Sequence, residues 1–351
     1  MTAITSLFII FVCIYMLAIV TDEYFIISLD QISKKLNLPN DVAGASLMAM
    51  GSSAPELAIA LLALFKGGGE HSDMGIATIV GSAVFNILVI TGVSAIARPA
   101  VVSWRVVIRD VAMYVASIAL LLITFADGAI TLFEALLLLG LYFVYLVILF
   151  NWKSADEDEG APEAVVAETA AEPEKTGLYH RITHVVSTGI GVLMGNAEKA
   201  FIRAFLVSIG LIGIISWFLV EYAIVFADAM GIPPVIVALT ILAGGTSIPD
   251  MIASIVVAKQ GRGDMAVANA IGSNIFDILI GLGIPWLIAL LVLGNEIHVG
   301  TSGLWTSTLI LLGTVLLVFV FLTTERTLSR REGWTLVAAY GGYVVWTVMG
   351  V

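Results

Sequence analysis

The chain has 351 residues, of which 60% are hydrophobic and 12% charged, and its mean hydropathy is +1.05. Soluble domains are about 25% charged, so this composition excludes a water-soluble enzyme of this size and a disordered protein. The formal net charge of −11 excludes a nucleic-acid binder, which needs clustered Lys and Arg. The single cysteine, Cys13, allows no intramolecular disulfide. A polytopic membrane protein remains.

Ten apolar runs are long enough to cross a bilayer as helices, which takes about 20 residues each. Their hydrophobicity is continuous rather than alternating, which favours helices over a membrane β-barrel. We therefore predict an all-α polytopic membrane protein with ten transmembrane helices. The predicted spans are residues 4–24, 42–65, 74–97, 106–126, 129–150, 203–227, 232–258, 265–293, 303–323 and 334–351.

The basic residues predict an orientation, because Lys and Arg concentrate in cytoplasmic loops. With the N-terminus outside, 15 of the 16 Lys and Arg residues fall in loops on the inside, and only Lys66 falls outside. Both termini are therefore expected on the extracytoplasmic side.

One segment cannot lie in the membrane. Residues 154–176 contain eight acidic residues and one basic residue, with no aromatic residue to build a core. We interpret residues 151–200 as an acidic cytoplasmic linker. It separates two halves, residues 1–150 and 201–351, with five predicted spans each.

The two halves share a sequence repeat. Residues 49–56 (AMGSSAPE) correspond to 243–250 (AGGTSIPD), and residues 81–86 (GSAVFN) correspond to 272–277 (GSNIFD). Because each half has an odd number of spans, the second copy must be inverted relative to the first. Inverted repeats with helices interrupted by Gly and Pro indicate the midplane binding site of a secondary transporter.

Three carboxylates, Glu56, Asp250 and Asp277, lie within predicted spans. An Asp at the helix centre costs about 2.5–3.5 kcal/mol on insertion scales, and no Lys or Arg lies at matching depth in the repeat helices. The partner must be a proton or a metal cation. The total charge of −3 is neutralised by one Ca²⁺ with one monovalent cation, or by three Na⁺.

The neighbouring residues supply further oxygen atoms. Side chains three and four residues apart share a helix face, and Pro55 and Pro249 free backbone carbonyls one turn earlier. These donors are hard oxygens, which suit Na⁺, K⁺ or Ca²⁺ rather than Zn²⁺ or Cu⁺. The candidate ligands are Ala49, Ser52, Ser53, Glu56, Ser82, Asn86, Ala243, Thr246, Ser247, Asp250, Ser273 and Asp277.

The remaining acidic residues of the spans are interpreted as structural or solvated. Glu134 and Glu221 are expected to be interfacial or hydrogen-bonded carboxylates rather than ligands. Asp22, Glu23 and Asp110 lie near predicted span ends and are expected to be solvated.

The paired motifs resemble the α-repeats of the cation/Ca²⁺ exchanger superfamily. Together with residues 22–25 (DEYF) and 41–45 (DVAGA), they are most similar to the K⁺-dependent Na⁺/Ca²⁺ exchangers. Asp250 stands where K⁺-independent exchangers usually carry Glu. The resemblance implies that Glu56 and Asp250 bridge a central Ca²⁺, that Asn86 and Asp277 are the opposed downstream ligands, and that Asp277 is also tied to K⁺. The hydroxyl residues would complete the Na⁺ and Ca²⁺ shells, and the first and sixth helices would slide as the gate.

The implied function is a secondary antiporter, not an enzyme, that exchanges Na⁺ for Ca²⁺ with K⁺ co-transport. Its partners are these three ions, transported rather than held as cofactors, and the lipid bilayer; no nucleic acid and no obligate protein partner is expected. A Ca²⁺/H⁺ exchanger of the same superfamily and a K⁺-independent Na⁺/Ca²⁺ exchanger are the alternatives. A channel or non-transporting sensor is a rival of a different class, which the inverted repeat disfavours.

Overall fold

The computed structural model describes residues 2–37, 47–66, 71–101, 104–151, 190–191, 193–195, 197–261, 263–294, 297–299, 301–325 and 327–349. This part of the chain is almost entirely helical, as predicted. The acidic run 154–176, most of the predicted linker, and the start of the predicted span 42–65 lie outside the described residues.

The two halves present helices in the same order. The first half contains α1 (Thr2–Lys35), α2 (Ala49–Ser52), α3 (Ala54–Phe65), α4 (Ser72–Ala97), α5 (Trp104–Thr124) and α6 (Leu132–Asn151). The second half contains α7 (Phe201–Met230), α8 (Pro234–Thr246), α9 (Ile248–Lys259), α10 (Gly263–Phe276 continued by Asp277–Leu282 and Gly283–Leu293), α11 (Thr301–Glu325) and α12 (Arg330–Met349).

Seven described helices are long and apolar enough to cross a membrane, namely α1, α4, α5, α6, α7, α10 and α11. The bent pair α8–α9 makes an eighth if it counts as one span. Helix α3 is apolar but has only 12 residues, and α12 begins with the charged residues Arg330, Arg331 and Glu332. The all-α membrane architecture is therefore confirmed, whereas the count of ten spans stays a prediction.

The last helix of each half begins with the same capping arrangement. The carboxylate of Glu134 accepts hydrogen bonds from the backbone N–H and the hydroxyl of Thr131 at the start of α6. Glu332 accepts the same pair from Ser329 at the start of α12. These are capping boxes, which satisfy backbone donors that have no partner within the helix. Glu134 is thus a structural carboxylate, as expected from the sequence.

Two pairs of two-residue strands join loops of opposite halves. The strand β1 (Ala100–Val101), before α5, pairs antiparallel with β4 (Thr327–Leu328), before α12. The strand β2 (Ala129–Ile130), after α5, pairs antiparallel with β3 (Ile297–His298), before α11. Helix α5 has 21 residues and is therefore about 31 Å long at 1.5 Å per residue. The two strand pairs consequently lie at opposite ends of the bundle.

Helix α4 forms the centre of the bundle, because 94% of the residues in an apolar 18-residue stretch of this helix are buried. It packs against α3, α8 and α11. Gly81 permits the close approach to α8, since a Cβ atom there would lie 2.6 Å from the Leu239 carbonyl oxygen and 2.8 Å from the Ala243 Cβ. The residues of the repeat motif in α4 are thereby pressed against those in α8.

The expectation that Asp110 is solvated is wrong. Asp110 is only 4% exposed, and its carboxylate accepts hydrogen bonds from Arg109 at 2.8 Å and from the Tyr145 hydroxyl at 3.4 Å. The buried charge is tolerated because a guanidinium lies beside it. Glu221 of α7 is likewise paired, with Lys66 at the end of α3.

We predict that Gly81→Ala destabilises the protein, because the new methyl group must displace the backbone of Leu239 rather than a flexible side chain. Overpacking of this kind costs about 1–3 kcal/mol. Thermal unfolding in detergent should show a lower midpoint. Gly140→Ala in α6 is the matched control, since a Cβ atom there meets nothing within 4 Å, and it should unfold at the wild-type temperature or above. Equal midpoints for the two variants would contradict the packing described here.

Candidate functional site

The two copies of the repeat motif break their helices at equivalent residues. Ser53 separates α2 from α3 with φ −90° and ψ 5°, and Ser247 separates α8 from α9 with φ −89° and ψ −1°. In each copy a proline follows two residues later, at the second position of the new helix. Because proline has no N–H, it cannot continue the hydrogen-bond ladder of the preceding helix. The sequence therefore places Glu56 and Asp250 in the first turn after a break.

Ser53 and Ser247 occupy N-cap positions without capping. Serine at such a position normally accepts a hydrogen bond from a backbone N–H of the first turn, but neither side chain does so. The Ser247 hydroxyl is buried and has no hydrogen-bond partner in the described part of the chain. The Ser53 hydroxyl instead lies within hydrogen-bonding reach of Asp277. Both hydroxyls are thus available to a ligand.

The downstream motif residues also sit at matching backbone features. Asn86 begins a π-helical turn in α4, Asn86–Ile90, and Asp277 begins one in α10, Asp277–Leu282. Such turns widen a helix locally and recur at functional sites. Each of the two side chains is 2% exposed.

The motifs of the two halves meet in the centre of the bundle. The Thr246 hydroxyl lies within hydrogen-bonding reach of Glu56, which is 4% exposed. The carboxylates of Glu56, Asp250 and Asp277 are close enough to repel one another electrostatically. Within the described residues none of the three forms an ion pair with Lys, Arg or His. The site therefore concentrates negative charge without a protein cation.

Several polar atoms at this point lack hydrogen-bond partners among the residues described. They are Glu56 Oε2, Asn86 Oδ1, Ser247 Oγ and Asp277 Oδ1. A buried acceptor left unsatisfied costs about 1–3 kcal/mol, and more when it is charged. All four are oxygen atoms, the ligands that Na⁺, K⁺ and Ca²⁺ prefer.

The other predicted ligands lie on the same elements, and several already make local hydrogen bonds. The hydroxyls of Ser82 and Ser273 donate to the carbonyls of Ile79 and Ala270. A hydroxyl that donates its proton to a carbonyl keeps its lone pairs. The burial of four further candidates is as follows. Ser52 and Asp250 are half-buried, Ala49 and Ala243 are buried, and the Ala49 carbonyl accepts the Ser53 N–H at 3.0 Å.

The carboxylates do not form a metal site by themselves. In the chain segments that the structure describes, no group of three or more His, Cys, Asp or Glu side chains is placed to hold one metal ion. A bound cation would therefore need hydroxyl, amide and carbonyl oxygens as well, which is the mixed ligand set predicted from the sequence.

Sequence reasoning missed Asn274. Its side-chain oxygen accepts a hydrogen bond from Asn86 Nδ2 at 2.9 Å, and its own Nδ2 donates to the Ala83 carbonyl and the Tyr114 hydroxyl. Asn274 thereby fixes the Asn86 amide so that Oδ1 stays free. The available signal was the repeat itself, because Asn274 stands where the first copy has Ala83.

Asp22 and Thr21 of α1 were also missed. Both line a cavity beside the carboxylates, together with Ser52 and Asp250. Asp22 is exposed and lies in the interior of a 34-residue helix, and its solvation stays a prediction.

The apolar helices, the paired breaks and the uncompensated carboxylates together define a class, the integral multi-pass ion-transport proteins. The family model described as "Sodium/calcium exchanger protein" matches residues 6–151 and 201–349. The chain belongs to this family and is an antiporter of the sodium/calcium exchanger superfamily.

Relatives agree with this assignment. Sodium/potassium/calcium exchanger 4 of Mus musculus is 28% identical over 496 aligned residues, covering 95% of this chain and 79% of the relative. Sodium/potassium/calcium exchanger 5 of Homo sapiens is 31% identical over 418 residues, covering 97% and 82%.

Solved structures of exchangers share the fold. The H⁺/Ca²⁺ exchanger CAX superposes with a TM-score of 0.70 at 15% identity, covering 98% of this chain and 82% of that one. The sodium–calcium exchanger NCX_Mj, soaked with Na⁺ and Sr²⁺, gives 0.58 at 23% identity, covering 98% and 99%. At these identities the likeness concerns the fold alone.

We predict that Ser247→Ala leaves the stability of the ion-free protein within about 0.5 kcal/mol of wild type, because the hydroxyl makes no hydrogen bond there. The same change should reduce ion exchange and the rise in melting temperature on adding Ca²⁺.

Ser329→Ala is the matched control, since this serine does cap its helix. It should lose about 1 kcal/mol of stability and keep its exchange activity. Melting curves with and without Ca²⁺, alongside flux measurements, test both variants. A Ser247→Ala protein that is destabilised but fully active would contradict a ligand role.

Proposed function

We propose that the protein exchanges Na⁺ for Ca²⁺ and co-transports K⁺, extruding Ca²⁺ by alternating access. The observation that carries the proposal is the meeting of Glu56, Asp250 and Asp277 without a protein cation, beside oxygen atoms that lack hydrogen-bond partners. A cation is the partner that removes both the repulsion and the unsatisfied acceptors.

The donor set supports Ca²⁺ and Na⁺ as the cargo. Ca²⁺ takes six to eight oxygen ligands, including carboxylates, amides and carbonyls. The proposed ligands are the twelve predicted residues, with Glu56 and Asp250 bridging Ca²⁺ and the hydroxyl residues completing the shells. The hydroxyls favour Na⁺ over H⁺ as the counter-ion, because protonation of a carboxylate needs no hydroxyl ligand.

Charge balance supports a monovalent ion travelling with Ca²⁺. Three ionised carboxylates are neutralised by one Ca²⁺ and one K⁺, or by three Na⁺. In either state the site is neutral and can change access, whereas the empty site, at −3, would be held back by its charge. The curated relatives are named sodium/potassium/calcium exchangers, which supports K⁺ as that ion.

Strand pairing supports an inverted relation between the two halves, which we propose to contain five spans each. When each broken helix pair counts as one element, α5 and α11 are the fourth elements of the two halves, and α6 and α12 are the fifth. The strands β1 and β3 precede the fourth elements and therefore correspond, and β2 and β4 precede the fifth. Each pairs with the non-corresponding strand of the other half. Because the two pairs lie at opposite ends of α5, corresponding loops lie at opposite ends of the bundle, as inversion requires. With the basic residues inside, both termini are extracytoplasmic.

The gate is proposed to consist of α1 and α7. These helices pack on each other and α7 also contacts α3, so both lie beside the site. The ion pair of Lys66 and Glu221 joins α3 to α7 and would have to rearrange when α7 slides.

Flux in proteoliposomes tests the function. An outward-directed Na⁺ gradient should drive ⁴⁵Ca²⁺ uptake, and K⁺ should increase it. Glu56→Gln should abolish uptake because it removes one charge from the bridging ligands, whereas Glu134→Gln, which preserves the capping box, should transport normally. Uptake driven by a pH gradient without Na⁺ would instead support a Ca²⁺/H⁺ exchanger. Uptake indifferent to K⁺ would support K⁺-independent exchange.

We predict that Asp277→Asn abolishes the K⁺ dependence while some Na⁺/Ca²⁺ exchange survives. The remaining charge of −2 matches one Ca²⁺, so no monovalent partner is needed. Asp228→Asn, at the exposed end of α7, is the control and should retain the K⁺ response. Initial ⁴⁵Ca²⁺ rates at graded K⁺ concentrations decide the matter. A K⁺ response that persists in Asp277→Asn would remove this residue from the K⁺ site.

A further inference from the structure

A cavity beside the central site is lined by residues of α1 as well as by the repeat motifs. From α1 it receives Thr21 and Asp22, and from the motifs Ser52 and Asp250. Asp250 is half-buried and faces this cavity, whereas Glu56 and Asp277 are buried in the bundle. The cavity thus meets the central site at one carboxylate, that of Asp250.

Asp22 brings a fourth negative charge to this region. It is exposed in the cavity and close enough to Asp250 for the two carboxylates to repel each other. In the described part of the chain no Lys, Arg or His pairs with it. A carboxylate within a membrane helix is costly unless it faces water or a cation.

Thr21 points independently to a ligand. Its side chain is 4% exposed, and Oγ1 has no hydrogen-bond partner among the residues described. Some hydroxyls elsewhere in the bundle, such as those of Thr78 and Ser117, donate to the carbonyl four residues earlier. Thr21 does not, and it begins the π-helical turn Thr21–Phe25. A buried hydroxyl without a partner, next to two repelling carboxylates, is a set of oxygen donors that suits a hard cation.

We propose that Thr21 and Asp22, with Asp250, form a separate capture position for a divalent cation, from which Ca²⁺ passes to the central site. This inference rests on the proposed Ca²⁺ transport. Asp250 belongs to both positions, so a cation can move from one to the other without leaving a carboxylate. Asp22 is exposed, whereas Glu56 is buried. The carboxylate of Asp22 can therefore replace water ligands of an incoming ion more readily than that of Glu56.

The role of Asp22 is to raise the local concentration of cations. Clefts lined by charge of one sign raise on-rates by about 10- to 1000-fold, and salt screens the effect. Asp22→Asn should therefore raise the apparent KM for Ca²⁺ about tenfold, with a maximal rate near that of the wild type. The salt sensitivity of KM should fall in the same variant.

The experiment measures initial ⁴⁵Ca²⁺ rates in proteoliposomes against Ca²⁺ concentration, at low and high choline chloride. Glu23→Gln is the matched control, because Glu23 is the adjacent acid but does not line the cavity; its KM should be that of the wild type. Asp22→Glu should restore most of the affinity. Thr21→Val should raise KM while keeping or increasing thermal stability, because it removes an unsatisfied hydroxyl. This second variant decides the matter if Asp22→Asn does not fold.

The outcomes separate this inference from the function beneath it. Wild-type protein that moves no Ca²⁺ overturns the proposed function itself. If the wild type transports Ca²⁺ and Asp22→Asn matches Glu23→Gln in KM and salt response, the capture position is wrong. Complete loss of flux in a folded Asp22→Asn protein at saturating Ca²⁺ also overturns it, because Asp22 would then belong to the central site.

Discussion

Electrostatic repulsion among buried carboxylates is the constraint on which the rest of the structure depends. Glu56, Asp250 and Asp277 lie close enough to repel one another, without a protein cation among the described residues. At about 3 kcal/mol each they would cost roughly 9 kcal/mol, which is comparable with the whole stability of a typical domain, about 5–15 kcal/mol. Such a cluster is tolerated when cations neutralise it. The same cost penalises movement of the empty site, and an antiporter needs that penalty to couple its ions.

The broken helices turn this charge into a shaped site. Proline prevents the ladder from continuing, so Ser53 and Ser247 stand at new helix starts with hydroxyls that do not cap. Discontinuous helices of this kind line the cation sites of secondary transporters. Gly81 then lets α4 press against α8. Close packing, rather than flexible loops, therefore fixes the distances between donors from the two halves.

The sequence was sufficient to predict that the carboxylates of the two repeat motifs come together inside the bundle. Glu56, Asp250 and Asp277 stand out because charged residues in apolar runs are rare and because their motifs recur. Asn274 could not be found in this way, since it replaces Ala83 and its partner Asn86 is 188 residues away. Asp22 was not predicted to line the cavity because apolar periodicity ends near residue 24, whereas α1 continues through a π-helical turn to Lys35. Asp110 was misjudged because Tyr145, which helps to bury it, lies on another helix.

The departures from symmetry explain why two similar halves produce an uneven site. An exact repeat would give the downstream positions equal charge, and hence a site of even total charge. Asn86 opposite Asp277 leaves an odd total of −3, which a divalent cation alone cannot neutralise. The side-chain amide of Asn86 has only one acceptor oxygen, so its orientation matters. A carboxylate has two equivalent oxygens and does not need to be oriented in this way. Asn274 orients the amide by accepting from Asn86 Nδ2 and donating to the carbonyl of Ala83, its counterpart in the first copy. The two differences between the copies are therefore linked by a contact: Asn86, which lacks the charge of Asp277, donates to the amide added at residue 274, and its own Oδ1 is left without a hydrogen-bond partner among the described residues.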